Sequence, residues 1–139
     1  LLGTPRLHAA ARATDAITDE LLDLVGLTAR AGTRASELAY GDQRRLELIR
    51  ALATRPRLLM LDEPAAGMDS TETRGILDLI RLIRDRYGVA IIVVEHDMDL
   101  IMNLCERIQV LAYGERIFEG TPAEVQANPQ VREVYLGHA

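Results

Sequence analysis

At 139 residues, 48% apolar and 27% charged, the chain has the composition of one globular domain or part of one, and not that of a disordered tract. Its net charge of −5 argues against a partner held by a phosphate backbone, so no nucleic acid is expected. All 16 basic residues are arginine, which excludes the phosphate loop G-x-x-x-x-G-K-[ST], and the single Cys105 excludes an internal disulfide.

Residues 1–35 read as helix followed by loop. The chain opens on Leu1 rather than methionine, so a trimmed beginning is expected. After Pro5 the apolar positions Ile17, Leu21 and Val25 recur at helical spacing, Leu22 and Leu24 widen the stripe, and Gly26 ends it. Thr28 to Ser36 is small and polar, hence a loop. Gly41 then opens a second helix, predicted from Asp42 to about Ala53, with Asp42 as N-cap and Leu46, Ile49, Leu52 and Ala53 facing inward. Pro56 closes that segment.

Leu58-Leu59-Met60-Leu61 runs straight into Asp62 and Glu63, and Pro64 stops the strand. A short continuous apolar run predicts a parallel strand buried on both faces. Ser70 is the expected cap of a long helix from Thr71 to about Tyr87, with Ile76, Leu77, Ile80, Ile83 and Tyr87 as its stripe and Gly88 as its stop. Val89 to Val94 forms a second apolar run that leads into Glu95-His96-Asp97. Strand, helix and strand make a βαβ unit, so the two strands are predicted to be parallel and the fold α/β.

A short helix from Met98 to Cys105 precedes two alternating strands, Ile108 to Ala112 and Arg116 to Glu119, joined at Tyr113-Gly114 as a hairpin. Thr121-Pro122-Ala123-Glu124 is a capping box with proline at the first helical position. Asn128-Pro129 repeats the device for a last helix that closes at Tyr135-Leu136-Gly137. Met98 and Met102 are read as packing residues. His8 and His138 are expected to be solvated, as is the Arg81, Arg84 and Arg86 face with its interleaved Asp78 and Asp85.

Chemistry is concentrated where strands end. Ligands in open α/β sheets bind beyond the carboxyl ends of the strands, which is where Asp62, Glu63 and His96 fall. A carboxylate at that edge suits hydrated Mg²⁺, and a second beside it can orient or deprotonate a water. A glycine-opened helix start offers amides and a positive dipole end to phosphate.

Four segments, Leu38 to Arg45, Leu58 to Pro64, Ala66 to Asp69 and Val94 to Asp97, resemble in order and spacing four motifs of the ATP-binding cassette ATPases. The resemblance is closest to the ATPase subunits of branched-chain amino acid importers, through the A-Y-G form at Ala39 to Gly41, the R-R-L-E start of the helix, the P-A-A-G loop and the N-P…Y-L-G tail. It implies a partial P-loop NTPase core with parallel strands and flanking helices. Residues 1–55 would be part of the helical subdomain, and residues 56–139 the C-terminal part of the ATPase core. It further implies that Asp62 holds Mg²⁺ through water, that Glu63 polarises the attacking water and that His96 meets the γ-phosphate. Leu38, Ala39, Tyr40, Gly41 and Asp42 would be the signature, facing ATP held by the opposite subunit, and Ala66 to Asp69, with Gly67 and Asp69, the D-loop along the dimer seam.

The departures from that pattern are specific. Ala39 stands where the family's signature has a serine, and Asp42 where it has a glutamine, so a carboxylate is placed at the expected triphosphate site and competes for the amides of its own helix. The loop that cradles phosphates, the aromatic that stacks on adenine and the glutamine loop precede this region in the family and are not written here. The resemblance therefore implies the C-terminal half of a cassette, inactive by itself, with ATP and Mg²⁺ bound only in the complete subunit. Its partners would be the missing N-terminal half, a second ATPase subunit and membrane permease subunits at the inner face of the cell membrane. A non-transport cassette ATPase and a binding-only half-cassette are the competing readings.

Overall fold

A computed structural model describes the backbone of residues 5–136 and the side chains of residues 14–135. The expected helix close at Gly137, and both His138 and the His8 side chain, lie outside the described residues. The elements are helices α1 (Pro5–Leu24), α2 (Tyr40–Leu52), α3 (Ser70–Tyr87), α4 (Met98–Leu104), α5 (Pro122–Ala127) and α6 (Pro129–Val131), and strands β1 (Leu58–Asp62), β2 (Ala90–Val94), β3 (Ile108–Ala112) and β4 (Glu115–Gly120). The chain divides into two compact units. One holds the stretch up to Leu59 together with Ala65–Ile92; the other holds Met60–Pro64 and the stretch from Val93 onward.

β1 and β2 are hydrogen-bonded neighbours. The Ala90 amide donates to the Arg57 carbonyl at 3.1 Å and the Glu63 amide to the Val94 carbonyl at 2.9 Å, so the partners advance in the same direction and the pair is parallel. The expectation of burial on both faces fails. Leu58, Met60, Ile92 and Val94 are 46, 70, 47 and 56% exposed, whereas Leu59 is buried. Side chains alternate across a strand, and this chain's own residues cover one of the two faces.

In the first unit the core is Leu21, Val25 and Leu27, Leu48, Ile49 and Leu52 of α2, and Ile76, Leu77, Leu79, Ile80 and Ile83 of α3. Leu48 joins Ile49 and Leu52 in the buried stripe of α2, with Leu46 half-buried, whereas Ala53 is exposed. α3 begins one residue before the expected start, and its cap is Asp69 instead of Ser70. The Asp69 carboxylate accepts the amides of Thr71 and Glu72 at 2.7 and 2.9 Å, and the Glu72 carboxylate accepts the Asp69 amide at 3.2 Å. This closes a capping box, stronger than a lone serine because both donors are satisfied reciprocally. Gly88 ends α3 at φ 62, which costs glycine nothing. The basic face of α3 is half solvated, as expected, but Arg86 reaches back to Glu20 of α1 at 3.0 Å, and Tyr87 donates to the same carboxylate at 3.1 Å.

In the second unit β3 and β4 pair antiparallel, with a bulge at Val110/Leu111. Tyr113 and Gly114 turn the hairpin at φ 53 and 81, the two left-handed residues that a twist-matched two-residue loop requires. Ile101, Ile108, Val110, Val125 and Val131 form the core, with Met98 and Met102 packed against it. α5 carries the expected Thr121 to Glu124 capping box, and Asn128 caps the next turn through the Val131 amide at 3.1 Å.

Ile83 is fully buried, so Ile83→Ala removes apolar contact and leaves a cavity; chemical denaturation should register a loss of about 3 kcal/mol. Acid should weaken the second unit. The Arg107 guanidinium, ahead of smaller contributions from Arg116 and Gln109, holds Glu119 below the ordinary carboxylate value, and the Thr121 amide and hydroxyl do the same for Glu124. A depressed folded value means the stabilisation is complete above the unfolded carboxylate range and is lost as pH falls through and below it. Thermal melts between about pH 6 and pH 3 should therefore fall, and Glu119→Gln with Glu124→Gln should flatten the slope.

Candidate functional site

β1 ends in Asp62, an exposed carboxylate. Glu63 follows at φ 44, a left-handed conformation that side chains rarely adopt. The Glu63–Val94 backbone bond fixes that turn against the end of β2. Two residues past β2, the His96 ring lies 3.1 Å from the Glu63 carboxylate, Nδ1 to Oε1. Because a carboxylate oxygen only accepts, the ring donates through Nδ1, and His96 remains open to solvent with 78% of its side chain exposed. Asp62, Glu63 and His96 belong to one unit, and both strands deliver them at their carboxyl ends.

A residue not singled out by sequence reasoning joins them. The Glu95 side chain is only 4% exposed, and its carboxylate accepts the His96 amide at 3.2 Å while lying 3.9 Å from the ring nitrogen. Its place directly after the strand, followed by His96 and Asp97, gave no pattern to separate it from a solvated acid. Asp97 then caps α4 through the Leu100 amide at 3.1 Å, so the peptide that carries His96 is held on both sides.

The second constellation lies in the other unit. Leu38 is buried, Ala39 is the N-cap of α2, and Tyr40, Gly41 and Asp42 form the helix's first turn. Asp42 is therefore not the cap, and it does not compete for its own amides. Alanine has no acceptor, no side chain among the described residues caps α2, and the Asp42 carboxylate turns instead toward Arg45 at 3.8 Å. Gln43 steadies the entry by donating to the Leu38 carbonyl at 2.9 Å. The Tyr40 hydroxyl donates to the Ala66 carbonyl at 2.9 Å, and the Gly67 backbone lies beside the ring. Gly67 needs its lack of a side chain, since its φ is 76, and Asp69 is committed to the cap of α3.

The donor chemistry at the β1 end fits Mg²⁺. Hydrated Mg²⁺ takes one or two carboxylates together with phosphate oxygens and waters, so the exposed Asp62 suffices without a protein cage. Among the described residues no three or more His, Cys, Asp or Glu side chains gather into such a cage. At the start of α2 no side chain among the described residues takes the amides, which leaves them to an outside acceptor beside the Asp42 carboxylate of the same turn.

The backbone strain at Glu63 has a measurable consequence. Glu63→Gly should be at least as stable as the parent chain, whereas Glu63→Val, β-branched at a left-handed position, should cost about 1–2 kcal/mol in a denaturation titration.

Residues 4–66 match the family model of the ABC transporter, and residues 115–139 match that of the branched-chain amino acid ATP-binding cassette transporter. The chain is 47% identical over 118 residues to the high-affinity branched-chain amino acid transport ATP-binding protein LivG of Salmonella typhimurium, covering 85% of this chain and 46% of that protein. It is 42% identical over 139 residues to BraF of Pseudomonas aeruginosa, a protein of the same description, covering 100% of this chain and 54% of that one. The chain thus spans about half the length of these curated relatives. Among solved structures it superposes on the ADP conformation of MJ1267, an ATP-binding cassette of an ABC transporter, with TM-score 0.82 at 26% identity, over 91% of this chain and 51% of that one. It superposes on cbiO1 of Clostridium perfringens, part of an ABC transporter complex, with TM-score 0.75 at 28% identity, over 98% and 52% of the two chains.

Proposed function

The chain belongs to the ATP-binding cassette transporter family, and from that premise we propose that it supplies the hydrolytic strand ends and the signature of a nucleotide-hydrolysing importer subunit. The observation that carries the reading is the convergence of Asp62, Glu63 and His96 at one end of a parallel strand pair, with the Glu63 carboxylate 3.1 Å from the imidazole. Asp62 would be the residue that holds Mg²⁺, through water. When bound there, the ion neutralises charge on the phosphates.

Glu63 orients and polarises the attacking water as a half-exposed carboxylate at the strand tip. His96, steered through Nδ1 by Glu63 and through its own amide by Glu95, turns its other ring nitrogen toward the terminal phosphate. The start of α2, Leu38 to Asp42, is the signature and meets ATP held by a second subunit through backbone amides, because Ala39 has no hydroxyl to offer. Gly67 and Asp69 lie in the D-loop at that seam. The phosphate-cradling loop and its lysine come from elsewhere, since this chain contains no lysine. On its own the chain therefore does not turn over ATP.

The relatives' names support branched-chain amino acid import as the coupled process, as does the family match at residues 115–139. Permease subunits of a membrane transporter are the partners this requires. No helix among the described residues is long and apolar enough to cross a membrane.

The test is a complemented cassette, in which this chain follows the portion of a BraF-like relative that it does not match. Mg²⁺-dependent ATP turnover should appear in the complemented cassette and be absent from the chain alone. Glu63→Gln should lower that turnover by about 10²–10⁴-fold, the usual range for loss of a positioned base, while nucleotide binding persists. Turnover that Glu63→Gln leaves intact overturns the assignment.

A further inference from the structure

The start of α2 is fastened to the segment ahead of α3 by the side chain of Tyr40, a residue of the helix's first turn. We propose that Tyr40 is a positioning residue that locks the signature to the D-loop of its own subunit, so that both move toward the opposite subunit's nucleotide as one piece. This rests on the assignment of those two segments made above. The geometry itself is independent of that assignment.

The Tyr40 hydroxyl is fully committed. It donates to the Ala66 carbonyl at 2.9 Å and accepts from Arg44 Nη2 and Nε at 2.8 and 3.1 Å. A phenolic hydroxyl has one proton to give and two lone pairs, and all three are used. Arg44 is itself anchored to Glu47 at 2.8 Å, so the hydroxyl is held from the next turn of the same helix. Charge-assisted bonds of this kind restrict a side chain more firmly than neutral ones. The bonds to Glu47 and Tyr40 also raise the Arg44 guanidinium above its ordinary value.

Tyr40 is not the only fastening. A Cβ added at Gly67 would lie 3.6 Å from the Tyr40 ring, in ordinary contact, so the ring rests against the loop's left-handed residue. Next along α2, a Cβ at Gly41 would come within 3.0 Å of Glu72 Oε1, the carboxylate that closes the α3 capping box on Asp69. One turn further, a Cβ added at Gly75 of α3 would come within 3.0 Å of Arg45 Nη2. Tyr40, Gly41 and Arg45 of α2 thus face the loop and the first turns of α3, and of these three it is Tyr40 that bonds the loop backbone. A tyrosine directed at phosphate would leave its hydroxyl open; this one is turned back into its own subunit.

The experiment has two arms. In the unaltered-length chain, amide hydrogen exchange at residues 65–69 should quicken in Tyr40→Phe by about three- to tenfold, the equivalent of one hydrogen bond. Arg44→Ala, which leaves the hydroxyl's bond to Ala66 but removes its support, should quicken it in the same direction. In the complemented cassette, Tyr40→Phe should lower kcat by about the same factor and reduce cooperativity in ATP, with KM little changed, and adding Arg44→Ala should have less effect than it has alone. Unchanged exchange at 65–69 overturns the lock, and so does quickened exchange with wild-type kcat and cooperativity. Absence of ATP turnover in the parent complemented cassette would instead count against the proposed function, and the exchange arm would still decide whether the lock exists.

Discussion

One backbone hydrogen bond, from the Glu63 amide to the Val94 carbonyl, governs the geometry of the candidate site. It is the bond at which the parallel pair ends. In a parallel ladder the partners advance together, so the residues that follow β1 and β2 leave the sheet at the same end. The acids and the imidazole meet because of this register. A slip of one residue would send each side chain to the opposite face and separate Glu63 from His96. The cost is visible in the same residue. Glu63 adopts φ 44 so that its amide can bond β2 while its carboxylate turns toward His96. Backbone strain of this kind persists only where the surrounding structure over-determines the conformation.

Much of this arrangement was legible in the residues because local rules agreed with one another. Two apolar runs, separated by an 18-residue amphipathic helix and each ending in polar groups, admit little besides a βαβ unit. The turn at Tyr113-Gly114 and the Thr121 capping box were readable because turn and cap chemistry depend on a few adjacent side chains. The cap of α3 shows where such reading slips. Asp69, Ser70 and Thr71 are all good caps, and the discriminating signal was the glutamate three residues on, which pairs with Asp69 and not with Ser70.

Other features had no local signal. α2 is capped by Ala39, a residue with nothing to offer the amides, so the eye passes to Asp42. The Tyr40–Ala66 bond joins residues 26 apart, and no spacing rule anticipates it. Glu95 looks like a surface acid until its side chain is found almost wholly enclosed. The uncovered sides of β1 and β2 belong to the same class of error. A run of apolar residues reports that a strand can be buried on both faces, and not which atoms do the covering.

The two constellations differ in how their residues are held, and this bears on how each can work. At the strand ends the reactive groups are exposed while their backbone is pinned by the β1–β2 ladder, the Asp97 cap and the Glu95 contact. Side chains there are open to solvent while the scaffold beneath them is fixed. At the start of α2 the order is reversed: the side chains of Tyr40, Gln43 and Asp42 are occupied within the chain, and the amides carry no side-chain cap. In the proposed reading the first place would recognise its ligand by carboxylate and imidazole, and the second by peptide dipoles. A helix start that recognises through its backbone must keep the helix itself in place, because no flexible side chain can take up a misfit. In the proposed reading the fastening of α2 to the loop before α3 would meet that requirement, since the Tyr40 ring and hydroxyl are turned to the loop and to Arg44.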